Sequence, residues 1–143
     1  MGSRIRAGPA ASDQANFFSL TITVKAPEPC DAGGWIDGIT DAIKKGVSKI
    51  SEEFVLVQSV AGGFLTLRGA MKFAKTRNRK NLQYHLRTRH VEKHLPPGIG
   101  DGNLTCIVST LVEDERHVVY ESLRRMAAAA GPGCGCWAGS LGC

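Results

Sequence analysis

"EFVLVQSVAGGFLTLRG", residues 53–69, decides the fold of this chain. Phe54 to Val60 and Phe64 to Arg68 are apolar, β-favouring runs separated by Ala-Gly-Gly, which predicts two antiparallel strands joined by a tight turn. Upstream, "FFSLTITV" (Phe17 to Val24) alternates at the strand period. It leads through the proline-containing loop "KAPEPCDAGG" into "WIDGITDAIKKGV". There Trp35, Ile39, Ala42 and Ile43 recur at helical spacing, and Gly46 is placed to stop the helix. Trp35 and Ile39 are core candidates. Downstream, a Lys/Arg-rich helix is expected from about Ala74 to His94, ended by Pro96-Pro97. "LTCIVSTLV", "EDER" and "HVVYESLRRM" then predict a second hairpin, with strands Leu104 to Val112 and His117 to Arg125. The expected order is β-α-β-β-α-β-β: an α+β fold with two helices packed on a mostly antiparallel sheet, a two-layer sandwich. Residues 1–16 read as a flexible arm, 17–126 as the folded domain and 127–143 as a disordered Gly/Ala/Cys tail.

The basic stretch raises the question of metal. "NLQYHLRTRHVEKH" (residues 81–94) has the look of the helical half of a zinc finger, with His85, His90 and His94 at finger-like spacing. A two-cysteine, two-histidine finger needs a Cys pair about a dozen residues upstream. The nearest upstream cysteine is Cys30, so a zinc-finger-like module is the remotest reading, and neither metal nor cofactor is expected. Cys106 sits in an apolar run and reads as a small buried hydrophobe. Cys134, Cys136 and Cys143 lie in the tail. Five unevenly placed cysteines do not make a disulfide framework, and a reducing, cytoplasmic setting is expected.

Charge points more sharply. Between Lys72 and His94 eight Lys or Arg face one acid, Glu92, giving +7 and leaving −2 for the other 120 residues of a chain whose net charge is +5. Such a run repels itself unless a polyanion neutralises it, so nucleic acid is the expected partner. No apolar run approaches the length of a membrane span, and no membrane partner is expected. Catalysis is not expected either. No Ser, Cys or Asp sits in a nucleophile elbow or phosphate loop, and "GIGDGN" follows a helix and precedes a strand, unlike a dinucleotide fingerprint. Asp37 and Asp41, one helical turn apart, read as a solvated acidic face.

The element order, with its basic helix entered from a hairpin strand, resembles the eukaryotic-type large-subunit ribosomal protein L-twenty-two family. "FSLTITVKAPEPCDAGGWIDGITDAI" matches the family's opening strand, Pro-containing acidic loop and helix. "FVLVQSVAGGFLTLRGAMKFAKTRNRKNLQYHL" matches its hairpin and Lys/Arg-rich helix, and "NLTCIVSTLVEDERHVVYESLRR" its closing hairpin, with Tyr120-Glu121-Ser122-Leu123-Arg124 at the Tyr-Glu-Leu-Arg-like strand. The resemblance spans roughly residues 17–125; the acidic tail common in the family is missing. It implies a non-catalytic constituent of the large ribosomal subunit that binds ribosomal RNA beside neighbouring ribosomal proteins. An RNA- or DNA-binding regulator outside the ribosome is the alternative. On either reading, Lys72, Lys75, Arg77, Arg79 and Lys80 are expected to contact phosphates where strand turns into helix. Arg87, Arg89 and Lys93 continue the track, His85 and His90 add hydrogen bonds, and Arg68 is a further contact on the preceding strand.

Overall fold

Two glycines in the left-handed region set the first strand pairing. Gly62 and Gly63 have φ of 62° and 83°, and Ala61 pairs with Phe64 across them. A two-residue loop with both φ positive matches the right-handed twist of its strands, which explains the Gly-Gly pair. The computed structural model describes residues 14–26, 34–96 and 98–130.

Around this hairpin stands a four-stranded antiparallel sheet of order β2-β3-β1-β4. Its strands are β1 (Gln14–Lys25), β2 (Ser51–Ala61), β3 (Phe64–Asn78) and β4 (Leu104–Thr110). Among the described residues three α-helices accompany them: α1 (Trp35–Ser48), α2 (Arg79–Leu86) and α3 (Glu113–Ala130). The fold is α+β. α1 and α2 form with the sheet the expected two-layer sandwich. Phe18, Leu20, Ile22 and Val24 of β1 alternate into its core, where they meet Trp35, Ile39, Ile43 and Val47 of α1 and Leu82 and Leu86 of α2. Trp35 and Ile39 are buried, as their spacing requires.

β3 runs well past Arg68. Its pairing with β1 continues to Gln14↔Asn78 across a register shift between Ala15 and Phe17. Asn16 holds the irregularity together: its side-chain N–H donates to the Phe73 carbonyl (3.1 Å), and its carbonyl accepts from the Thr76 hydroxyl (3.2 Å). Lys72, Lys75 and Arg77 therefore lie on a strand, and the expected helix start at Ala74 is corrected to Arg79. The Asn78 side chain caps that start by accepting the Asn81 N–H at 3.0 Å.

α2 does not end as a regular helix. Arg87–Val91 form one π-helical turn and Glu92–His94 a 3₁₀ turn. The periodicity shows why. Leu86 follows Leu82 by four residues, but the next core residue, Val91, follows by five, and all three are buried. A regular helix turns Val91 away from the face of Leu82; the extra residue of the π turn brings it back. Gly46 likewise does not stop α1, which continues to Ser48.

The second expected hairpin is only half present. β4 forms, but residues 117–125 lie within α3. Val118, Val119 and Tyr120 favour strands locally, yet Tyr120 and Leu123 are both buried, and a strand would send residues three apart to opposite faces. Glu113, Asp114 and Glu115 suit the positive end of a helix, and the alanines from Ala127 onward favour helix strongly. α3, the third helix, covers the other face of the sheet. There Tyr120 and Leu123 pack with Val57, Ala70 and Leu111.

The folded body is wider than residues 17–126, since β1 begins at Gln14 and α3 runs through Ala130. The rest of the expected arm (1–13) and tail (131–143), with Cys30 and the tail cysteines, lies outside the described residues.

Candidate nucleic-acid interface

The outer side of α2 borders two adjoining clefts. The first, about 650 Å³, lies along the junction of β3 and α2 and is lined by Arg77, Asn81, Tyr84, His85 and Arg89, among others. The second, about 600 Å³, lies between α1 and the π turn and shares Ile50, His85 and Arg89 with the first. Together they make one continuous groove. Tyr84 stands in it 70% exposed, far more open than most large aromatic side chains. The Arg77 guanidinium carbon is 5.0 Å from the centre of the Phe73 ring, which braces it against the core edge.

The second cleft depends on small residues of α1. A Cβ at Gly46 would lie 2.4 Å from Cε1 of His90, and one at Gly38 would lie 3.3 Å from Nδ1 of His94. The imidazoles thus rest against nearly bare helix backbone. His85 and His90 meet edge to face, with ring centres 5.2 Å apart. Burial lowers the pKa of His90 below its ordinary value of 6.5, and His85, Lys93, Lys49 and His94 push it further down. At neutral pH this ring is an uncharged hydrogen-bonding group in a positive cleft.

The structure divides the expected contacts. Arg77, His85 and Arg89 line the first cleft; His90 and Lys93 join His85 and Arg89 in the second. Lys75 and Lys80 are exposed nearby on the end of β3 and the start of α2. Other members of the run serve the fold. Arg79 donates to the Val108 carbonyl (3.1 Å), while Gln83 accepts the Val108 N–H (2.8 Å). These two side chains thus occupy backbone groups of the edge strand β4. Arg87 pairs with Glu92 at 3.0 Å. Lys72 pairs with Glu52 at 3.3 Å and lies over the Phe17 ring. Arg68 borders a groove on the α3 side of the sheet, outside both clefts.

Sequence reasoning passed over Lys45, Lys49, His94 and Tyr84. Lys45 lies in the last turn of α1 and Lys49, four residues on, is its C-cap, both on the same side as Gly46, so a helical projection of 35–49 displays them. That this side meets α2 follows only from the tertiary packing. Cys106 is buried and its thiol is pushed up to about 11, chiefly by burial. Among the described residues, no group of three or more His, Cys, Asp or Glu is placed to hold a metal ion, and no helix is long and apolar enough to cross a membrane.

No protein-family model matches the chain, and no curated protein does. Among solved structures, an ACT domain protein from Streptococcus pneumoniae is similar at 10% identity and a TM-score of 0.42, over 67% of this chain and 90% of that one. The de novo designed protein Foldit4 is similar at 15% identity and a TM-score of 0.37, over 71% of this chain and 99% of that one.

Proposed function

We propose that the chain binds RNA along the groove on the outer side of α2, as a non-catalytic binding protein. The observation that carries this reading is the exposed Tyr84 ring set between Arg77, His85 and Arg89. An aromatic face flanked by cations suits an unpaired nucleotide: the base stacks on the ring and the flanking phosphates meet the guanidinium groups. Arginines serve here better than lysines because their planar forks bond phosphate bidentately and also stack on bases. Lys75 and Lys80 extend the positive surface beyond the groove. The resemblance to the ribosomal family gives the finer form of the proposal, in which the partner is large-subunit ribosomal RNA beside neighbouring ribosomal proteins in the cytoplasm.

Titration of a single-stranded RNA tests the binding. Tyr84→Ala should weaken it by about 1–3 kcal/mol, the usual worth of one stacked base. Arg77→Ala with Arg89→Ala should weaken it further and flatten its dependence on salt, since each neutralised phosphate contributes about 0.7–0.9 to the log–log slope. Unchanged affinity in both variants would remove the groove from consideration. Cosedimentation with purified large subunits after a salt wash tests the finer form.

A further inference from the structure

The two clefts differ in chemistry, and the difference suggests a polarity for the bound strand. Tyr84 belongs to the first cleft alone; the second has no Phe, Tyr or Trp in its lining. Instead Lys45 of α1 and its C-cap residue Lys49 approach from one side, and Arg89 and Lys93 from the continuation of α2. His85, His90 and His94 add three imidazoles, and Asp41 is the sole carboxylate in the lining among the described residues. Helices that pack together ordinarily bring opposite charges to face each other. Here like charges converge from two elements, an arrangement that a bound anion relieves. Gly38, Ala42 and Gly46 leave the floor low enough for the imidazoles to lie inside rather than over the rim. A volume of about 600 Å³ is within the usual range for a small-ligand site.

We propose that the cleft between α1 and the π turn holds the dianionic phosphomonoester at the end of an RNA strand, with the adjoining base on Tyr84. This rests on the RNA reading of the groove. A terminal monoester carries close to two charges near neutral pH and three free oxygens, whereas an internal diester carries one charge. The four lysine and arginine side chains supply charge, and the imidazoles supply N–H donors. A bound dianion also favours protonated His90, so acidification from neutral pH should tighten the site until the phosphate itself takes a proton. The groups facing His90 are Asp41 and Lys45 of α1 and its C-cap residue Lys49, and His85, Arg89, Lys93 and His94 from its own segment.

The test compares RNA octamers of one sequence with a hydroxyl at both ends, with a 5′-phosphate, or with a 3′-phosphate, by fluorescence anisotropy with an internal label. One phosphorylated form should bind the parent protein at least fivefold more tightly than the hydroxyl form. Lys45→Ala with Lys49→Ala, both exposed positions, should bring the phosphorylated and hydroxyl octamers to equal affinity, and a preference of fivefold or more that persists in this variant would overturn the proposal. Equal affinity of the parent for all three octamers would overturn the proposal while leaving the RNA reading intact. If no octamer binds, the RNA reading fails. The cleft is then judged by titrating inorganic phosphate and uridine 5′-monophosphate against the His90 ring resonances. A saturable shift that the lysine double variant lacks keeps a free phosphomonoester as the ligand, and no shift removes the site.

Discussion

Arg79 and Lys80 are neighbours in sequence and of one charge, yet they do different work. Arg79 reaches the Val108 carbonyl on the edge of the sheet, while Lys80 is exposed at the start of α2. Arg79→Ala should therefore lower stability by about 1–2 kcal/mol, the usual worth of a hydrogen bond to a charged group that retains some solvent. Lys80→Ala should stay within about 0.5 kcal/mol, the range of ordinary surface changes. Urea melts of the two variants decide it. Removing every charge of the run at once would confound fold with binding, because this member is structural. The density of positive charge was legible from residues 72–94, but its division was not. The division depends on which backbone or carboxylate each arginine finds, as Arg87 finds Glu92. Tyr120 offers a second test at this scale. Its hydroxyl is buried without a hydrogen-bond partner among the described residues, and its pKa is pushed up to about 12, chiefly by burial and then by Glu53. Tyr120→Phe removes an unsatisfied polar group and should raise stability by about 1 kcal/mol at neutral pH. The folded parent holds this proton more tightly than the unfolded chain. Its stability should therefore begin to fall as pH rises past the ordinary tyrosine value of 10 toward 12, a loss the variant lacks.

Among the elements, the π turn of 87–91 shapes the groove most. It satisfies two demands that a regular helix cannot meet together: Val91 goes to the core, and His90 goes against Gly46 of α1. The irregular spacing of Leu82, Leu86 and Val91 is visible in the sequence. Its resolution required knowing that the sheet and α1 both claim the helix. The lowered pKa of His90 means that the unfolded chain binds this proton more readily than the folded one, and its cause, burial first, lies in the α1 contact. Stability should thus be fully present above the ordinary value of 6.5 and decline as pH falls through and below it. The melting temperature of the parent should drop more steeply between pH 7 and 5 than that of His90→Gln. Gly46→Ala gives a complementary result. It gains up to about 1 kcal/mol of helix propensity but forces the His90 ring outward. Net stability should change little while the His90 ring resonances move. Helix α3 differs from the expected strand because its β-branched residues speak for a strand locally; only the joint burial of Tyr120 and Leu123 against the sheet decides for helix.

At the scale of the whole molecule, the sheet separates the proposed RNA groove from α3. The groove belongs to the layer of α1 and α2, whereas α3 lies on the opposite face. Leu123→Ala should destabilise the domain by about 2–4 kcal/mol through the cavity it leaves. RNA affinity of the protein that remains folded should be unchanged. A loss of affinity in excess of the unfolded fraction would place part of the binding surface on the α3 side, where Arg68 lies. The antiparallel α+β character was legible because alternation in β1 and the Gly-Gly turn are local signals. Strand order was not, since it is fixed by contacts between distant segments. That order governs how the chain reaches its native state. β1 is the earliest of the described strands and yet interior to the sheet, where Phe18 pairs with both Met71 and Thr110. During synthesis it must wait, unpaired on both edges, until β3 and then β4 have been made. The β2–β3 hairpin closes through two residues, the shortest connection in the sheet, and should pair first. Folding should accordingly be slow for the chain's size, with docking of β1 onto the β2–β3 hairpin as the limiting event and β4 added afterwards. In a chevron analysis, substitutions along the hairpin and β1 should slow folding, and those in β4 should mainly hasten unfolding.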